Sequence, residues 1–135
     1  MAQLQAVEVA AGLIFEQDRL LVCQRPPRGS FALKWEFPGG KLEEGEGYEE
    51  ALRRELREEL GIEAGRLSEI FRHQHLYPNI VKINLRFFRV ENYSGEVQNR
   101  VFHQIKWVTV KELLQLDFLD GDLPIIRKLA SSGRK

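Results

Sequence analysis

The sequence is poor in cysteine, in net charge and in long apolar runs. Cys23 is the only cysteine in 135 residues, so no intrachain disulfide can form. It lies in the apolar run from Leu20 to Cys23 and reads as a small core residue rather than a reactive thiol. Twenty basic residues balance twenty acidic ones. No global basic field exists to hold a nucleic-acid polymer, and a polyanionic ligand must be met by local features. No apolar run approaches the roughly 20 residues that span a bilayer, so no membrane partner is expected. The N-terminus has no basic leader, and Glu8 interrupts the apolar stretch from Val7 to Phe15. That argues against a signal peptide and leaves a cytoplasmic location as the default expectation. Without repeats, low-complexity segments or linkers, residues 1–135 are expected to form one domain.

With 43% hydrophobic and 30% charged residues, the chain can bury a core without disulfides or a structural metal. Val7 to Phe15 reads as a mostly buried strand, Glu16-Gln17-Asp18 as a turn, and Arg19 to Gln24 as a returning strand. Pro26, Pro27, Gly29 and Ser30 mark a loop. Trp35-Glu36-Phe37 is a short aromatic strand before Pro38-Gly39-Gly40. Gly47 to Leu60 is helical by pattern: Leu52, Leu56 and Leu60 recur at four-residue spacing, and Gly61 stands where a C-terminal cap belongs. Strands are expected from Arg66 to Leu76, from Val81 to Glu91 and from Gln104 to Val108. Tyr77-Pro78-Asn79 and Asn92 to Gly95 break the chain between them. Val110 to Leu116 and Leu123 to Leu129 read as short helices, the second with Asp122 as a candidate N-cap. Trp107 is most simply a core residue. One amphipathic helix among many strands makes an α+β layered domain the expected class.

The acidic face of the central helix carries the chemistry. Glu55, Glu58 and Glu59 are spaced i, i+3 and i+4, which places them within an arc of roughly 100°. Like charges so close repel, and a hard divalent cation such as Mg2+ is one answer, since it takes oxygen ligands and is often shared with substrate phosphates. The bland reading is a solvated helix laced with ion pairs, Arg53 with Glu49 or Glu50, and Arg54 with Glu50 or Glu58. The segment before the helix tips the balance. In Pro38-Gly39-Gly40-Lys41, glycine lets backbone approach a ligand and lysine supplies charge for a phosphate. Glu46 then stands where it can join the carboxylates.

This segment resembles the signature of the Nudix hydrolases, GX5EX7REUXEEXGU with U aliphatic. Gly40, Glu46, Arg54, Glu55, Leu56, Glu58, Glu59, Gly61 and Ile62 match it without departure. Seven fixed matches arise by chance at on the order of 10⁻⁸ per start position if each residue type is about one in fifteen. The resemblance implies a mixed β-sheet sandwiched between α-helices. It implies that Glu55, Glu58 and Glu59 hold Mg2+ (with Mn2+ as a substitute), that Glu46 assists, and that Arg54 orients a glutamate. Gly39, Gly40 and Lys41 would lie against the substrate phosphates, and a carboxylate would take the proton of the attacking water.

Trp35 through Lys41 resembles the MutT-like branch, which hydrolyses nucleoside triphosphates to monophosphate and pyrophosphate. In that branch Asp122 corresponds to a base-reading position, Tyr77 to an aromatic beside the base, and Arg25 to a substrate-contacting arginine. A helix cap, a strand-end tyrosine and a surface arginine are the competing readings. One departure stands out: Val101 occupies a position where the branch often carries a glutamate, with His103 two residues on. An oxidised or non-canonical nucleotide such as 8-oxo-dGTP therefore stays one candidate beside cytidine triphosphates, ADP-ribose and dinucleoside polyphosphates. A non-catalytic nucleotide-sensing module and a general interaction domain are the readings from other classes. His73 and His75 share one strand face and read as a half-exposed polar stripe or, with a third ligand, as a metal site. Nothing in the sequence sets the oligomeric state.

Overall fold

The computed structural model describes residues 5–78 and 81–132; Asn79, placed in a chain break above, lies outside them. Strand β1 (Gln5–Glu16) is the axis of the molecule. It runs parallel to β7 (Val81–Val90) over ten residue pairs, from Gln5↔Val81 to Ile14↔Val90. On its other side it pairs antiparallel with β4 (Gly39–Lys41) through Ala10↔Gly40 and Ala11↔Gly39. Strand β6 (Leu67–Tyr77) continues the sheet antiparallel to β7, with a bulge between Glu69 and Phe71. At the far end of β1 the chain turns back into β2 (Arg19–Gln24), which is flanked by β3 (Trp35–Glu36) and β9 (Gln104–Thr109).

The alternation of β1 divides the interior into two layers. Ala11 and Leu13 face a cluster with Val22, Leu85, Phe87, Ile125 and Ile126, covered by α2 (Val110–Leu113) and α3 (Leu123–Ser132). Ala10 and Ile14 face Leu52, Leu56 and Leu60 of α1 (Tyr48–Leu60). The result is the expected mixed sheet between helices. Helix α1 approaches closely at Gly12, where a Cβ would stand 3.4 Å from Leu52 Cδ1. Cys23 is fully buried, as expected. Trp107 is only half buried and packs on the edge of the α1 layer.

Helix α1 is well terminated. Glu50 accepts a hydrogen bond from the Gly47 amide at 2.7 Å, and Gly61 adopts the left-handed conformation (φ 70°) with its amide donating to Arg57 O. The segment after β8 (Tyr93–Ser94), which pairs with β5 (Glu63–Ala64), satisfies further carbonyls: Gln98 N donates to Leu60 O and Arg100 N to Glu59 O. The expected turn over Asn92 to Gly95 is therefore partly a two-residue ribbon.

Two expectations need correction. The helix from Val110 to Leu116 ends at Leu113. Phe118 must be buried, and to reach β3 the chain turns out of the helix and makes a parallel bridge with Trp35. Asp122 is not an extended cap residue. It closes a 3-10 turn, Asp120–Asp122, that runs straight into α3, and its carboxyl is buried.

Leu56 is fully buried beneath α1. Leu56→Ala is expected to cost about 3 kcal/mol of stability, as for other buried leucine truncations, measurable by urea unfolding followed by circular dichroism.

Candidate active site

The glycine turn and the acidic helix meet through contacts that only glycine permits. At Gly39 (φ 144°) a Cβ would fall 2.1 Å from Ala10 O, and at Gly40 it would fall 2.5 Å from the Glu55 carboxyl carbon. The Glu55 carboxyl thus rests on bare backbone. The Gly39 amide donates to Glu59 Oε1 at 3.2 Å. Lys41 is exposed just beyond.

Arg54 organises the rest of the acidic face. Its Nε and Nη2 donate to the two Glu46 oxygens at 2.7 and 2.9 Å, and its Nη1 donates to Glu55 at 3.0 Å and Glu58 at 3.2 Å. Nη2 also donates to Lys41 O at 3.0 Å. The alternative partners for Arg54 and Arg53 resolve in part: Arg54 holds Glu58, and Arg53 lies 3.9 Å from Glu49. The hydrogen bonds from Arg54 and the Glu43 amide hold the Glu46 carboxyl down at about 2. The same carboxylates keep the guanidinium firmly protonated.

Glu59 behaves in the opposite way. Burial, together with the hydrogen bond and charge of Glu55, raises its pKa to about 9. Glu55 and Glu59 are therefore two half-buried carboxyls in direct contact, a donor set that fits a hard cation between them. Among the described residues, no group of three or more His, Cys, Asp or Glu is preformed as a cage for a metal ion. The Arg54 guanidinium supplies the positive charge to Glu46, Glu55 and Glu58 instead.

A cavity of about 550 Å³ opens from this face. Gly39, Gly40, Lys41, Glu55 and Glu59 line it. Arg25, Tyr77 and Asp122, from three distant parts of the sequence, line it as well, over a floor that includes Val9 and Leu85. Glu46, Arg54 and Glu58 form the adjoining ion-pair cluster and do not line it. Val101 is exposed on the loop after β8 and brings no carboxylate to the site. His103 is also exposed, and its backbone amide donates to Gln24 O.

Two cavity residues went unnoticed in the sequence. Glu36 lies between buried Trp35 and Phe37, so strand alternation sends it to the opposite side, into the cavity. Arg25 donates to both its oxygens at 3.2 and 3.3 Å, while burial raises its pKa against that pairing. The Trp-Glu-Phe triplet carried this signal. Phe31, 46% exposed at the cavity mouth, sits at φ 55° with its ring 5.2 Å from that of Tyr77. A positive φ in an irregular loop leaves no periodic trace in the sequence.

Asp122 is buried, and burial and the charge of Glu36 raise its pKa well above the carboxylate range, with the Phe37 amide opposing. The folded protein holds this proton to higher pH than the unfolded chain does. Stability therefore falls as pH rises above the ordinary carboxylate range, until the folded group itself ionises. Asp122→Asn is expected to raise the melting temperature at pH 7 by several degrees, on the order of 1 kcal/mol. The gain should vanish near pH 3, where both forms are neutral; thermal unfolding at the two pH values checks it.

Comparison with known proteins places the chain in a family. The NUDIX domain model matches residues 6–129. The chain is 35% identical over 123 residues to the CTP pyrophosphohydrolase of Escherichia coli, covering 91% of this chain and 90% of that protein. It is 33% identical over 127 residues to the 8-oxo-dGTP diphosphatase of the same organism, covering 93% and 98%. Among solved structures, the E. coli ORF135 protein superposes with a TM-score of 0.83 at 33% identity, covering 97% of this chain and 95% of that one. MutT from a study of Aliivibrio salmonicida and Vibrio cholerae gives 0.79 at 28%, covering 95% and 99%. An unbroken signature on the helix and glycine turn, the mixed sheet between helices, and a family match over nearly the whole chain lead to one assignment: this chain belongs to the Nudix hydrolase family.

Proposed function

We propose that the protein hydrolyses a nucleoside triphosphate to the monophosphate and pyrophosphate, acting as a single domain over residues 1–135 in the cytoplasm. The observation that carries this reading is the lining of the cavity. Glu55 and Glu59 lie against the glycine turn, and Tyr77, Phe31 and Asp122 line the same cavity. A triphosphate and its nucleoside need those two environments side by side. The substrate is a small nucleotide, and no nucleic-acid polymer or membrane takes part; no helix among the described residues is long and apolar enough to cross a membrane.

Nudix hydrolases generally depend on a divalent metal. Here Glu46, Glu55, Glu58 and Glu59 would hold Mg2+, or Mn2+ in its place. When bound, the cation supplies neutralising charge and polarises the phosphoryl oxygens. The residues do the rest. The Gly39 and Gly40 backbone and the Lys41 ammonium receive the phosphates. Arg54 fixes the rotamers of Glu55 and Glu58 while anchoring the Glu46 loop. Glu59, held by the Gly39 amide, accepts the proton of the water that attacks phosphorus in line. The water oxygen forms the new P–O bond, the anhydride P–O bond breaks, and pyrophosphate leaves.

At the nucleoside end, Tyr77 and Phe31 offer π-faces to a base. Arg25, already braced by Glu36 and by Ser30 O at 3.0 Å, adds a cation near the mouth. A protonated Asp122 presents one donor and one acceptor side by side. That pair complements N4–H and N3 of cytosine, and equally N7–H and O6 of an 8-oxoguanine. Relatives named for CTP and for 8-oxo-dGTP fit this two-point contact.

The test is turnover with Mg2+ across 8-oxo-dGTP, CTP, the other dNTPs and NTPs, ADP-ribose and a dinucleoside polyphosphate, with products resolved by chromatography. The expected result is monophosphate and pyrophosphate from a triphosphate, abolished by EDTA and reduced about 10²-fold or more in Glu59→Gln. Binding without turnover would make the chain a nucleotide sensor. Turnover indifferent to Glu59→Gln would remove that residue from the chemistry.

A further inference from the structure

Outside the cavity mouth and the acidic helix, β6 carries a second group of metal-ligating side chains. His73 and His75 lie two residues apart on one face of the strand, and their β7 partners are Leu85 and Ile83. Those apolar neighbours offer no side-chain hydrogen bond. Among the described residues the only polar contact either ring makes is with the other. His73 Nε2 faces His75 Nδ1 at 3.4 Å, the rings being 5.5 Å apart and inclined by 47°.

That separation is long for a hydrogen bond, which falls at about 2.7–3.2 Å. It is the bite of a chelate: two imidazole nitrogens each about 2.0–2.1 Å from a tetrahedral ion stand about 3.3–3.4 Å apart. We propose that His73 and His75 form a chelating site for a borderline divalent transition-metal ion, of the Zn2+, Ni2+ or Cu2+ class, distinct from the carboxylate face of α1. Imidazole selects these ions over Mg2+, which takes oxygen ligands. Both rings are half buried, so their orientation is held while solvent still reaches them. No third His, Cys, Asp or Glu among the described residues joins them, so water or an exchangeable anion would complete the coordination.

Burial, His75 and the charge of Arg127 lower the pKa of His73, which keeps its imidazole in the neutral form that binds metal. The same Arg127 charge opposes a cation, so the site is a weak one. Its position gives it reach. The His75 ring packs edge-on to Tyr77 at 4.5 Å, and Tyr77 Oη accepts a hydrogen bond from the Gly121 amide at 2.8 Å, next to Asp122. An ion on the two histidines fastens one wall of the nucleotide cavity.

The inference stands apart from the hydrolase reading, and its test needs no turnover. The full chain, saturated with Mg2+, is titrated with Zn2+ by calorimetry, and the imidazole signals are followed by NMR. One Zn2+ per chain is expected at this site, with the His73 and His75 ring signals moving. Affinity should weaken about tenfold or more in His73→Ala and in His75→Ala and stay unchanged in His103→Ala. Ring signals that do not move in the native chain, or equal affinity in all three variants, would overturn it.

Discussion

The site depends on a contact that leaves no room for a side chain. Gly39 and Gly40 pass between β1 and α1 so closely that a Cβ on the first would meet the Ala10 carbonyl and one on the second the Glu55 carboxyl. Because the backbone is bare there, β4 can hydrogen-bond to β1 on one edge and receive the acids of α1 on the other. The apolar side of α1, through Leu52, Leu56 and Leu60, fixes the distance from below. Arg54 fixes it from the side, since one guanidinium ties the Glu46 loop, the Lys41 carbonyl and two helix acids together. Packing and charge thus set the same geometry independently.

Two electrostatic environments share the cavity. Beside the helix end Glu46, just outside the cavity, is kept ionised by Arg54, while burial and the neighbouring Glu55 push the Glu59 carboxyl up to about 9. Asp122, which lines the same cavity, is pushed toward its neutral form by burial. Glu36 stands between them, restrained by Arg25 and repelled by Glu55. Burial first, and neighbouring charges second, drive these acids apart in protonation.

How much of this was legible in the sequence follows from the range of the interactions. The acidic face of α1 was readable because its spacing is local, and the glycine turn because its residue types are diagnostic. The strands of the sheet were readable as apolar runs, whereas the two layers emerge only with β1 set between β4 and β7. Contacts between remote segments left weaker traces. The Trp35–Phe118 bridge that shortens α2 joins parts of the chain with no common period. The burial of Asp122 follows from the 3-10 turn that carries it under the cavity, which a capping pattern does not reveal. Phe31 depends on a left-handed loop conformation. Glu36 was within reach, since a carboxylate between two core aromatics on a strand has to face somewhere other than the core.

We propose that the acidic face of α1, set against the glycine turn, holds a divalent cation. Mn2+ binding followed by electron paramagnetic resonance addresses it without any substrate. The native chain is expected to bind Mn2+ in competition with Mg2+, about tenfold or more tighter than Glu55→Gln does. No Mn2+ binding, or equal affinity in the native chain and in Glu55→Gln, would contradict it.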